Sequence, residues 1–185
     1  MRILVYGSSD FGAVLKDLAE DCGHEFAGFI DDVHPGNDRV VGNFESACLS
    51  HPPARHAIAI AVGYKHLEAR RALFAKVRNA GYALPALVHP EAYVHRSVEV
   101  GAGAVVMARA IADRAARLGE ACVLWPGANV SHDASIGANT FLSPGATVCG
   151  FAKVGGNCFI GAGAVVADHR TVPDGAFVKA GSVFA

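Results

Sequence analysis

From Val94 onward a branched aliphatic residue recurs at every sixth position: Val94, Val100, Val106, Leu118, Leu124, Val130, Ile136, Leu142, Val148, Val154, Ile160, Val166, Val172 and Val178, with only Ala112 smaller. Four residues after most of them stands a second, small residue: Ala104, Ala110, Ala116, Cys122, Ala128, Ala134, Thr140, Ala146, Ala152, Cys158 and Ala164, with Arg170 the one clear exception. Neither a helix nor a flat strand has period six. A coil of three short faces does, one hexad per face and about 18 residues per turn. The pattern therefore predicts a parallel β-helix over 86–185. Its aliphatic side chains fill a narrow prism and its small ones fit at the corners. Glycines such as Gly101, Gly119, Gly137, Gly155 and Gly161 are expected to relieve steric limits at the turns. At the ordinary strand spacing of about 4.8 Å, about five coils make a prism on the order of 25 Å tall.

The first 85 residues follow another rule, and predict a small Rossmann-like parallel α/β domain over 1–85. "ILVYG" is an apolar run ending at Gly7, read as a buried strand. "DFGAVLKDLAEDCG" follows with Phe11, Val14, Leu15 and Leu18 at helical spacing and Gly23 as its C-cap. "HEFAGFIDD" reads as a second strand closing on two carboxylates, "AIAIAVG" as a third, and "LEARRALFAKVRNAG" as a second amphipathic helix stopped by Gly81. Strand–helix alternation of this kind implies a parallel sheet.

Composition narrows the function classes. The chain of 185 residues is 52% hydrophobic and 18% charged, with 21 glycines and a formal net charge of -1. Such a balance carries no electrostatic footprint for nucleic acid or an acidic membrane. No apolar run approaches the roughly 20 residues of a membrane span. The opening "MRILVYG" runs straight into a strand pattern and lacks a cleavage region, so no signal peptide is expected. The five cysteines, Cys22, Cys48, Cys122, Cys149 and Cys158, form no C-x-x-C pair and read as reduced thiols of a cytoplasmic protein.

Candidate chemistry sits in both halves. His132 lies two residues past Val130, outside the positions reserved for the prism interior, and so points outward. An imidazole titrates near neutrality, which suits removal of a proton from an attacking amine or hydroxyl. Asp133 is adjacent and able to orient the ring or favour its charged form. By itself such a pair also fits an ordinary surface coil. The backbone N–H groups of Gly145 and Gly150 are candidate donors to an oxyanion. In the first half, Gly7, Ser8, Ser9 and Gly12 link a strand to a helix, where free N–H groups meet an anion. "GSSDFG" lacks the middle glycine of a dinucleotide fingerprint, so NAD is not implied. Asp31 and Asp32 end the second strand, where a carboxylate accepts from a ribose hydroxyl or stands solvated. Arg170, Lys179 and Lys153 are cations of the last coils and suit phosphates, while Arg70 and Arg71 read as a solvated helix face. His89, His95, His132 and His169 are scattered without ligand spacing, so no metal is expected.

The order of the two halves, with "YGSSDFG", "FIDD", "VGYKHLEARR", "AGYALPALVHPEAYV", "LWPGANVSHDASIGANTFLSPGATVCG" and "NCFIGAGAVV", resembles the NeuD/PglD type of bacterial sugar acyltransferase over essentially the whole chain. The resemblance implies a left-handed β-helix, acetyl-CoA as co-substrate without a metal, and acetyl transfer to a nucleotide-linked amino sugar. It implies His132 as general base with Asp133 beside it, and a nucleotide-sugar site around Gly7, Ser8, Ser9, Gly12, Asp31 and Asp32. Acetyl-CoA is then expected along the prism between two subunits of a homotrimer, with Phe141, Gly150, Arg170 and Lys179 as contacts. Phe141 stands where many relatives carry a second histidine near the thioester, and Trp125 where many carry asparagine. The chain also ends at "KAGSVFA", short of the tail of many relatives, so contacts from that tail to CoA are expected to be missing. O-acetylation of a sugar hydroxyl, or a trimeric protein that only binds a nucleotide, stay open as alternatives; a metal-dependent lyase or hydratase is a more distant one.

Overall fold

The computed structural model describes residues 1–34 and 39–185, which form two units, Met1–Pro85 and Ala86–Ala185. In the first, strands β1 (Arg2–Tyr6), β2 (Glu25–Ile30), β3 (Val40–Gly42) and β4 (His56–Ile60) pair in parallel in the order β3-β2-β1-β4. β4 is buried along its whole length, as a parallel strand covered on both faces must be. Helix α1 (Asp10–Asp21) buries Leu15, Leu18 and Ala19 at helical spacing, and Gly23 follows it at φ +76° with its N–H on the Glu20 carbonyl. Helix α3 (Leu67–Asn79) buries Phe74 and Val77 and also Arg70, which is 1% exposed and so does not belong to the solvated face expected of it; its side chain lies on the same helix face as Phe74 and Val77, three to four residues apart.

Two elements, β3 and helix α2 (Phe44–Ser50), go beyond what the hydrophobic pattern predicts. Three and seven residues respectively, they are too short for a periodicity to register. The signal for α2 lies in its cap, where the Asn43 side chain accepts from the Ser46 N–H at 2.9 Å. From β1 the chain goes to β2 on one side and reaches β4 on the other. That reversal opens a crevice at the carboxyl ends of the strands.

The second unit is a parallel β-helix of two-residue strands, in three sheets of five, six and six. Every strand pairs with the one eighteen residues on: Leu124 with Leu142, Val130 with Val148, Ile136 with Val154. The hexad aliphatics from Val106 to Val178 and the small residues from Ala104 to Ala164 are buried in one continuous core, with Val94 and Val100 half-buried at its start. Thr140 replaces an apolar corner residue and is fully buried. It is satisfied there, donating to the Gly155 carbonyl at 2.8 Å and accepting from the Cys158 N–H at 3.0 Å.

The glycine column has a different cause from the expected one. Gly101, Gly119, Gly137 and Gly155 lie one above another, and a Cβ on Gly137 would sit 2.4 Å from the Gly155 carbonyl carbon. Close approach of successive coils, not turn conformation, requires them. Left-handed backbone falls elsewhere, at every sixth residue from Gly103 to Gly181, and includes Ala115, Asp133 and Phe151. A side chain in that region costs about 1–2 kcal/mol relative to glycine. We therefore expect Ala115→Gly (φ +58°) to leave stability unchanged or raise it by up to about 1 kcal/mol. Gly137→Ala is expected to lower it by about 1–3 kcal/mol, both read from urea unfolding.

Candidate functional site

In the first unit the crevice at the strand ends has a volume of about 500 Å3. Gly7, Ser8 and Ser9 after β1, Asp31 and Asp32 after β2, and Gly63 after β4 line it. Ser9 caps α1 through its backbone alone, without a side-chain hydrogen bond to the helix, so its hydroxyl is not committed there. Gly12 is buried and does not line the crevice. A Cβ there would sit 2.1 Å from the Gly7 carbonyl oxygen, so this glycine lets α1 start tight against the strand end.

Asp31 is a clasp. One of its oxygens accepts from the Ser8 N–H at 3.1 Å and the Ser8 hydroxyl at 2.5 Å, the other from the Val33 and His34 N–H groups, each at 2.9 Å. Burial acts to raise its pKa, but the hydrogen bonds from Ser8, His34 and Val33 outweigh it and hold the carboxyl down at about 2. A carboxylate so occupied ties the loop after β1 to the end of β2. Asp32 is engaged as well, accepting from the Phe44 N–H at 2.8 Å and the Tyr6 hydroxyl at 2.5 Å, with Lys76 Nζ at 3.7 Å. Burial opposes its ionisation too, and the Tyr6, Phe44 and Lys76 contacts still lower its pKa. Burial, then the Asp32 hydrogen bond and charge, push the Tyr6 hydroxyl up. Lys76 also lies over the Phe44 ring at 4.5 Å.

In the second unit His132 and Asp133 occupy a corner of the prism, between the strands Asn129–Val130 and Ser135–Ile136. The imidazole is half-exposed, and its Nδ1 lies 3.0 Å from Asp133 Oδ2. Among the described residues Nε2 has no hydrogen-bond partner. The next coil puts Gly150 beneath the ring, where a Cβ would be 2.9 Å from His132 Cε1 and 3.0 Å from Nε2. Phe151 meets the imidazole edge-on at 5.3 Å and stacks on His169 at 4.8 Å. From the coil before, Arg114 Nη2 reaches Asp133 Oδ2 at 3.3 Å. A cleft of about 300 Å3 adjoins the corner, lined by Asp133, Phe151, Ser135, Arg117 and Lys153.

The corner thus brings His132, Asp133 and Gly150 together, with Arg170 two coils further on, and leaves Phe141 and Lys179 apart from it. Phe141 is 1% exposed, so its ring offers no surface to a ligand. Arg170 is exposed and belongs to the same corner two coils later, where its carbonyl accepts from the Lys153 N–H. Lys179, also exposed, lies at a different corner, in the column of Trp125, Ser143 and Gly161. The two candidate oxyanion donors also separate. The Gly145 N–H already donates to the Pro126 carbonyl at 3.3 Å, while that of Gly150 has no acceptor among the described residues. Arg114, Phe151 and His169 were not anticipated. Counting eighteen residues back from His132, and eighteen and thirty-six on from Asp133, finds them.

Residues 2–77 match the family model of the PglD N-terminal domain. The acetyltransferase domain of PglB from Neisseria gonorrhoeae superposes with a TM-score of 0.86 at 29% identity, covering 100% of this chain and 91% of that one. Both units are therefore similar to proteins of the NeuD/PglD type. A second structure of that PglB domain, in complex with acetyl coenzyme A, matches at 28% identity over 96% of this chain and 95% of the other, with a TM-score of 0.70. Perosamine N-acetyltransferase from Caulobacter crescentus, a histidine-to-asparagine variant in complex with CoA and GDP-perosamine, is also similar. It shares 27% identity, covers 97% and 93% of the two chains, and has a TM-score of 0.81. No group of three His, Cys, Asp or Glu among the described residues is placed to hold a metal ion. No helix among them is long and apolar enough to cross a membrane.

The Asp31 clasp sets an acid limit on the first unit. Its folded pKa of about 2 lies below the ordinary value of 3.8, so its stabilisation is complete above the latter and fades as pH falls toward the former. Asp31→Asn is expected to cost on the order of 2 kcal/mol at pH 7. The difference from wild type should shrink between about pH 4 and pH 2 in urea titrations.

Proposed function

We propose that the chain is an acetyl-CoA-dependent acyltransferase that acetylates the amino group of a nucleotide-linked amino sugar. The observation that carries this reading is the corner at His132. Asp133 engages Nδ1 at 3.0 Å, and Nε2 is left unengaged. Within the neutral ring that arrangement favours the tautomer with its proton on Nδ1 and its lone pair on Nε2. The names of the similar structures, acetyltransferases in complex with acetyl coenzyme A or with CoA and GDP-perosamine, support the same substrate classes.

In this reading the acceptor nitrogen attacks the thioester carbonyl carbon while Nε2 of His132 removes its proton. The carbonyl π pair moves onto oxygen, and the Gly150 N–H donates to that oxyanion. Collapse of the tetrahedral species restores the carbonyl and breaks the carbon–sulfur bond. The leaving thiolate takes the proton from the imidazolium, giving amide and CoA thiol. Asp133 steadies the ring while it is charged. Ser8, Ser9 and the N-terminus of α1 are the groups we assign to the nucleotide phosphates. Asp31 serves this site by shaping its loop, and Asp32 by its tie to Tyr6. Arg170 and Lys179 suit the phosphates of CoA through their charge. A homotrimer, with the thioester held between neighbouring subunits, and a cytoplasmic setting for the five thiols complete the proposal.

His132→Ala is expected to lower the rate of thiol release from acetyl-CoA by about 10²–10⁴-fold, the usual worth of a general base. Full retention would refute the role. The product should be a base-stable amide by mass analysis. Gly150→Ala, whose methyl would displace the ring, is expected to reduce kcat by roughly tenfold or more. Its nucleotide affinity, measured by calorimetry, should not change.

A further inference from the structure

We propose that Arg114 is a positioning residue for acyl transfer, acting on His132 through Asp133. Arg114 stands one coil before His132 at the same corner position, eighteen residues earlier. Its main chain is pinned on both sides. The Arg114 N–H donates to Asp113 Oδ1 at 2.6 Å, and the Arg114 carbonyl accepts from the Asp133 N–H at 2.9 Å. From that fixed anchor Nη2 donates to Asp133 Oδ2 at 3.3 Å, the same oxygen that meets His132 Nδ1 at 3.0 Å.

Asp133 is thus held at two points by one residue, main chain to main chain and side chain to side chain. The residue above Asp133 in the stack is Ala115, with only a methyl group, so the guanidinium can fold across to the carboxylate. Ala115 is itself fixed, its N–H donating to Ser97 Oγ at 2.9 Å. Without Arg114, the Asp133 side chain is free to rotate and to present its oxygen elsewhere. The imidazole then loses the acceptor that keeps its proton on Nδ1. A neutral ring that carries its proton on Nε2 has no lone pair there to act as base, and a ring displaced by a fraction of an ångström loses more. The contribution of Arg114 to folding is small, because an exposed ion pair of this kind stabilises little.

The inference rests on His132 being the base, and the test separates the two. Full-length wild type, Arg114→Ala and Arg114→Lys are prepared with ¹⁵N-labelled histidine, and the His132 ring nitrogens are recorded at mildly alkaline pH. Wild type should show Nδ1 protonated and Nε2 bare. Arg114→Ala should show the two forms mixed, with kcat lowered about tenfold and KM for acetyl-CoA unchanged. Arg114→Lys should recover most of the wild-type tautomer and of kcat. An unaltered tautomer in Arg114→Ala, or a rise in KM with kcat intact, overturns the proposal. A shifted tautomer in a protein whose His132→Ala variant stays active would uphold the clamp on the ring and sink the base assignment instead.

Discussion

Each coil of the second unit hydrogen-bonds to the next through strand pairs offset by eighteen residues, and everything else in that unit depends on this register. Main-chain N–H and C=O groups are consumed coil to coil, so no coil can slide without breaking many bonds at once. The register also dictates which side chains meet. Aliphatic lies over aliphatic inside, and glycine over glycine where the backbones crowd. At the functional corner Arg114, His132 and Gly150 lie over one another, with Ala115, Asp133, Phe151 and His169 in the next column. Residues distant in the chain are therefore assembled around one imidazole without any loop having to fold over it.

The first unit solves a different problem by different means. Its loop after β1 has no stack to hold it, and so a single carboxylate does the work. Asp31 gathers two contacts from Ser8 and one each from Val33 and His34, binding the end of β1's loop to the end of β2. Both acids are engaged, whereas the Ser9 hydroxyl makes no hydrogen bond to the helix it caps. An acid at the end of a second strand in such a sheet often accepts from a ligand hydroxyl. Here four internal donors already fill that capacity for Asp31.

The solenoid was legible because its rule repeats: one substitution in a hexad cannot hide a pattern carried by fourteen others. His132 stood out for the same reason, as a titratable group at a position where the repeat asks for nothing. What escaped the eye were partnerships across the repeat. Gly150 was noticed as a glycine, yet its use as a seat for the ring appears only when the chain is wound. Phe141, carried over from a resemblance, points into a covered face, which a period of six does not register. β3 and α2 were missed because each is shorter than the wavelength by which elements are recognised. The roles of Asp31 and Arg114 are set by hydrogen-bond direction, which composition and spacing do not encode.

The stacked register also governs how the second unit can change its length. Removing or adding a whole coil returns every later side chain to its own column, with the solenoid merely shorter or taller. An insertion of one or two hexads keeps the aliphatic residues inside but moves every later column to another face, and one that is not a whole hexad breaks the interior pattern from that point on, unless the corner bulges to absorb it. Descendants of this chain are thus free to vary in size by entire windings, or by loops extruded at corners, and the winding that bears the imidazole must keep its immediate neighbours on either side.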